Sequence, residues 1–176
     1  TLNTASNIAL SYLLVADNKL STLDLSTLTL LDYLFAQNNK LTSVSLGSTK
    51  LTAISLYGNK LPTLSLKDLP DLYYLTVASN RLTSLTLSGL PKLETLSADN
   101  NLLSSLALAT FPQLSYLSIA NNKISSLTLT GVAKLAGLYA DNNLLTTLPL
   151  TELTGLTEMS VGFNRLTSLT ATSLPL

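Results

Sequence analysis

The side chains best placed to do chemistry are two aspartates in identical Ala-Asp-Asn-Asn tetrads, Asp99 and Asp141, and a set of tyrosines that return at fixed intervals. Paired carboxylates suit acid–base work when one of them is held protonated and water fits between them. Tyrosines on one surface suit recognition, because each offers a large rigid ring with a hydroxyl at its tip. Other chemistries are closed. The chain has no Cys, His or Trp, which removes thiolate and imidazole metal ligands, disulfides, and every nucleophile that relies on a histidine base. Ten Lys and Arg balance ten Asp and Glu, so no net field draws the molecule to nucleic acid or to an anionic membrane. Apolar residues make up 46% of the chain but are dispersed, and no window reaches the roughly 18 uninterrupted residues of a membrane-spanning helix.

What must position these residues is a repeat. Aligning on Leu10-Ser-Tyr-Leu13-Leu-Val15-Ala-Asp-Asn18-Lys-Leu20 finds further copies beginning at Leu31, Leu51, Leu72, Leu93, Leu114, Leu135 and Leu156. The spacing is 21 residues except for one interval of 20. Positions 1, 4, 6, 11, 14 and 16 of each unit are apolar, usually with position 19. Position 9 is always Asn: Asn18, Asn39, Asn59, Asn80, Asn101, Asn122, Asn143 and Asn164. Positions 2 to 6 alternate with period two, the pattern of a strand with one face in a core. Positions 11 to 16, as in Leu82-Thr-Ser-Leu85-Thr-Leu87, carry Thr and alternate again, predicting a second short strand or extended turn. Only five residues remain before the next unit, too few for a helix of useful length.

The pattern L-x-x-L-x-[VAIL]-x-x-N-x-[LI] resembles the leucine-rich-repeat signature, and it covers about residues 10 to 176. The L-T-S-L-x-L stretch after the Asn is similar to repeats of bacterial surface proteins, the internalin-like and BspA-like groups. BspA-like units often carry Cys at position 6, where this chain has Val15, Ala36, Leu56, Val77, Ala98, Ile119, Ala140 and Val161. The resemblance implies a non-enzymatic binding or adhesion module, secreted or at the cell surface. The fold expected is mainly β: a right-handed solenoid of about eight units, with a curved parallel sheet on its concave face and short strands, turns or 3₁₀ segments on its convex face. Residues 1–176 are expected to be one domain, with 1–9 as the tail of a preceding unit and the whole cut from a larger protein. Without recognisable caps, its ends could also be covered by end-to-end self-association.

On this fold the Asn side chains bond backbone groups where the chain leaves the sheet, forming a structural ladder. Positions 3, 5 and 7 face outward on the concave sheet. Six of the seven tyrosines fall there: Tyr12, Tyr33, Tyr74 and Tyr116 at position 3, Tyr139 at position 5 and Tyr57 at position 7. Phe35 joins them, and Tyr73 lies beside Tyr74. Two origins stay open for this bias: rings stacking on neighbouring units, and a face that recognises a protein or glycan. Asp99 and Asp141 share that face at position 7, two units and roughly 10 Å apart. That is slightly too far for a catalytic pair or a single bridging ion, and no metal or cofactor is expected.

Lys19, Lys40, Lys60, Arg81, Lys123 and Arg165 recur at position 10 as a basic rim, read as a solvated edge rather than a nucleic-acid site. A Ser/Thr ladder at positions 13, 15 and 17 raises ice binding as a remote alternative, and a spacer or accessory role in a larger, even catalytic, protein as a nearer one. One unit departs from the rest. Between Leu46 and Leu51 the return Gly-Ser-Thr-Lys is a residue short and lacks the apolar position 19, so a pinch or pocket is expected there, next to Tyr57.

Overall fold

The structure, a computed structural model, describes residues 2–148 and 150–169. Each unit begins with a three-residue strand: β1 (Tyr12–Leu14), β3 (Tyr33–Phe35), β5 (Ala53–Ser55), β7 (Tyr74–Thr76), β9 (Thr95–Ser97), β11 (Tyr116–Ser118), β13 (Gly137–Tyr139) and β14 (Glu158–Ser160). These eight pair in parallel, in chain order, as one sheet. The register is one unit per step, so Tyr12 lies against Tyr33, Tyr33 against Ala53 and Ala53 against Tyr74. The opposite side of the coil is also β: β2 (Thr22–Leu25), β4 (Ser43–Leu46), β6 (Thr63–Lys67), β8 (Ser84–Ser88), β10 (Ser105–Ala109) and β12 (Ser126–Thr130). No α- or 3₁₀-helix occurs among the described residues, so none there is long and apolar enough to cross a membrane.

Leucines fill the space between the two sides. Positions 1, 4 and 6 of the central units are fully buried, as in Leu72, Leu75 and Val77, and position 19 adds Leu28, Leu69, Leu90, Phe111, Val132 and Leu153. Each unit covers its apolar edges only with its neighbours, so stability is close to a sum over adjacent pairs.

The second side does not form one sheet. β2 pairs with β4, β6 with β8, and β10 with β12, and no ladder joins β4 to β6 or β8 to β10. Geometry accounts for this. The eight-stranded side holds the units at the ladder spacing of about 4.8 Å. A curved stack is longer on its outer side, and these strands meet the longer arc by keeping every second link and opening the others. The eight-stranded sheet therefore lines the concave face. It follows that the Ser/Thr rows are split into separate two-strand patches, such as Thr63–Ser84 with Ser65–Thr86, rather than one flat ladder.

The chain turns out of the concave sheet through a left-handed residue at position 8 of every unit: Asp17, Asn38, Gly58, Ser79, Asn100, Asn121, Asn142 and Phe163, with φ between 53° and 66°. Gly, Asn and Asp adopt this conformation at least cost, which explains their recurrence. A second left-handed site closes the return of the middle units, at Asp68, Gly89, Thr110 and Gly131. Thr110, with φ 66°, is β-branched and the most strained of these. Thr110→Gly is expected to raise the unfolding free energy by about 1 kcal/mol, relief of strain exceeding the added freedom of the unfolded chain. Chemical denaturation of the two proteins checks this.

Candidate functional site

The concave surface carries two aromatic clusters. Tyr12 and Tyr33, opposite each other on β1 and β3, stack with ring centroids 4.8 Å apart and planes 6° from parallel. Phe35 extends the stack at 6.4 Å from Tyr33. Leu14, which pairs with Phe35 in the ladder, adds an aliphatic side chain that is 69% exposed. Leu14 is not among the aromatic residues that the period singles out, and its outward position 5 is the signal that places it on this face. At the other end Tyr116 and Tyr139 lie 5.3 Å apart, tilted by 37°. Gly137 makes this possible, since a Cβ there would come within 3.2 Å of the Tyr139 ring and 3.5 Å of Tyr116.

Between the clusters the outward floor is built from small side chains: Ala53, Ser55, Thr76, Thr95 and Ser97. Tyr33 and Tyr116 stand four strands apart, roughly 19 Å. Tyr57 and Tyr74 stand in this stretch without a stacking partner among the described residues. Tyr73 sits on the rim; its phenol is held above the ordinary tyrosine value, first by partial desolvation and then by the neighbouring Tyr33 phenol and the carboxylates of Asp32 and Glu94. The Tyr139 hydroxyl donates to Glu158, and this bond, followed by desolvation and the carboxylate's charge, raises its pKa.

Asp99 and Asp141 are hydrogen-bonded within the solenoid. Asp99 accepts from Ser97 at 2.9 Å, from the Ser118 hydroxyl of the next unit, and from the Ala120 N–H at 2.9 Å. Asp141 accepts from Ser160 and from the Gly162 N–H, each at 2.8 Å. Each carboxylate is a clip joining its unit to the next, and Ser118 and Ser160, 19 residues further on, are the sequence signal that reveals it. Gln37, also at position 7, has its Oε1 buried without a hydrogen-bond partner among the described residues.

The position-9 residues form the expected ladder. Asn101 donates to Val77, Ala98 and Asp99 carbonyls at 3.0–3.2 Å and accepts the Leu82 N–H at 2.9 Å. Asn39, Asn59, Asn80, Asn122, Asn143 and Asn164 repeat the arrangement; among the described residues Asn18 bonds only the Val15 and Ala16 carbonyls of its own unit. The position-10 cations are all exposed. The only ion pair among the described residues, Lys92 with Asp71 at 2.6 Å, lies elsewhere.

The parallel coil, its 21-residue period and its inward leucines define a leucine-rich-repeat protein, with units resembling those of the internalins. A leucine-rich-repeat protein of Leptospira interrogans superposes with a TM-score of 0.78 at 26% identity, over 91% of this chain and 45% of that one. Internalin C2 of Listeria monocytogenes gives 0.74 at 27% identity, over 90% and 74%. YopM, a leucine-rich effector protein from Yersinia pestis, gives 0.67 at 27% identity, over 90% and 50%. The chain thus spans about half the length of two of these neighbours. No family model matches the sequence, and no curated protein matches it. The fold is that of a protein-interaction module.

Proposed function

We propose that the chain is a non-enzymatic binding module that holds a protein or glycan on its concave sheet, as part of a secreted or cell-surface bacterial protein. The observation that carries this reading is the placement of two exposed aromatic clusters on either side of a floor of small residues. Tyr12 is 57%, Tyr57 43% and Tyr116 39% exposed, so large ring area faces solvent on a rigid scaffold. Such rings lose little conformational freedom on binding and are favoured contact residues.

A second reading, a spacer or accessory domain in which the rings pack on one another, draws support from the Tyr12–Tyr33 centroid distance, which matches the strand spacing. The two separate in one experiment. The chain and its Tyr33→Ser, Tyr74→Ser, Tyr116→Ser variant are applied to arrays of glycans and host surface proteins. Recognition predicts capture of a partner by the parent and at least about tenfold weaker capture by the folded variant, the loss of one or two ring contacts. Equal capture by both eliminates the concave aromatic face.

A further inference from the structure

The short unit opens a cleft on the face opposite the tyrosines. Its return segment is pressed against the preceding unit: a Cβ on Gly47 would lie 2.1 Å from the Ser26 carbonyl oxygen. Ser48 is buried where other units place an apolar residue, and its hydroxyl donates to Thr29 at 3.1 Å while accepting the Lys50 N–H at 3.0 Å. Drawn toward the unit before it, this segment leaves the unit after it. Pro62 widens the break, because it stands where Thr42 and Thr83 donate an N–H to the preceding unit and it has none to give. No Cα of β4 comes within 8 Å of any Cα of β6, whereas β8 and β10, also unpaired, do approach that closely.

The result is a cleft of about 270 Å³ between β4 and β6, floored by Val44, Leu46, Leu64 and Leu66. The expected pocket at the short unit is therefore present, but Tyr57 does not line it. Its two walls are strand edges facing each other, and no hydrogen bond crosses between β4 and β6. With every Cα pair more than 8 Å apart, the two edges stand well beyond the single ladder spacing of about 4.8 Å at which they could bond each other, and an additional strand between them would need about two such spacings. The walls alternate aliphatic residues facing inward with Ser and Thr facing outward.

We propose that the β4–β6 cleft is a docking site for one extended peptide strand, parallel to its neighbours, with aliphatic side chains at every second residue and small polar ones between. Backbone hydrogen bonds to both walls supply the affinity, and the aliphatic side chains occupy the space that a position-19 leucine fills in other units. Such a strand would complete the second face across the break, joining the β2–β4 and β6–β8 pairs into one five-stranded sheet. This site is separate from the concave surface and stands whether or not that surface binds a partner.

The probe is an acetylated peptide with the sequence of β6, Thr-Leu-Ser-Leu-Lys, labelled with fluorescein on its lysine. The expected result is saturable fluorescence anisotropy, weakened at least about tenfold when both leucine amides are N-methylated, because two backbone donors are then lost. A protein variant with a leucine inserted after Ser48 and Pro62→Thr regains the missing slot and donor, and is expected to close the cleft and lose binding by a similar factor. Hydrogen exchange of the unaltered chain provides a readout that does not depend on that variant folding: the peptide is expected to protect amides of Ser43–Leu46 and Thr63–Lys67 and to leave β8 and β10 unchanged. Protection on the concave sheet, equal binding of the N-methylated peptide, absence of saturation at millimolar peptide, or protection that rises with protein concentration alone would each overturn the proposal.

Discussion

Asn101→Ala is expected to lower the unfolding free energy by about 3–4 kcal/mol. The reason is an asymmetry in what the substitution leaves behind. The Val77 and Ala98 carbonyls each keep a second amide partner, from Asn80 and Asn122. The Leu82 N–H does not; Oδ1 of Asn101 is its acceptor, and Leu82 is fully buried. An orphaned buried donor carries its whole desolvation cost, to which the lost amide bonds and a small void are added. Asn18→Ala provides the internal contrast. Asn18 is exposed and bonds only the Val15 and Ala16 carbonyls, so its loss is expected to cost less than about 1 kcal/mol. Urea denaturation of both variants checks the pair, and equal losses would show that the ladder does not carry stability between units.

Gly47→Ala is the other large effect, expected at about 3 kcal/mol or more. Gly47 has no left-handed φ, so the demand for glycine here is one of space rather than of backbone conformation. The added methyl would stand 2.1 Å from a backbone oxygen of the neighbouring unit, where no flexible side chain is available to yield. By contrast, a methyl at Gly155 meets the nearest backbone oxygen at 3.1 Å, and Gly155→Ala is expected to cost about 1 kcal/mol or less. Thermal unfolding of the two variants side by side measures the difference.

Much of this architecture is legible in the residues because a repeat states each instruction many times. The period fixes the coil, the alternation at positions 2 to 6 fixes the strand and its inner face, and an Asn at every position 9 identifies the ladder before any coordinate is known. The left-handed turn at position 8 was equally available, written in Asp17, Asn38, Gly58 and Asn100, and only Ser79 and Phe163 obscure it. What the residues do not state is global. Whether β8 pairs with β10 depends on the arc length accumulated over the whole stack, and no unit's sequence contains that quantity. The same holds for the cleft: the missing residue after Leu46 is plain, but which face opens depends on which neighbour the shortened segment leans against. The partners of Asp99 and Asp141 are harder to read, since Ser118 and Ser160 lie one unit away and it is the register between units that brings them to the carboxylates.

The aromatic rings were placed on one face by periodicity alone, and the structure divides them into two groups with different neighbours. Tyr12–Tyr33 stacking contributes on the order of 0.5–1.5 kcal/mol, far less than a buried leucine whose removal costs about 2–5 kcal/mol. If recognition is what keeps the rings on that face, they are nearly dispensable for folding.

The most direct measurement is the unfolding free energy of the Tyr33→Ser, Tyr74→Ser, Tyr116→Ser variant, by urea denaturation, beside that of a single core substitution such as Leu75→Ala. The recognition role predicts that losing three rings together costs less than losing the one buried leucine, with a transition as cooperative as the parent's. A triple variant that falls well below Leu75→Ala would make the rings part of the packing and contradict their assignment to a binding face.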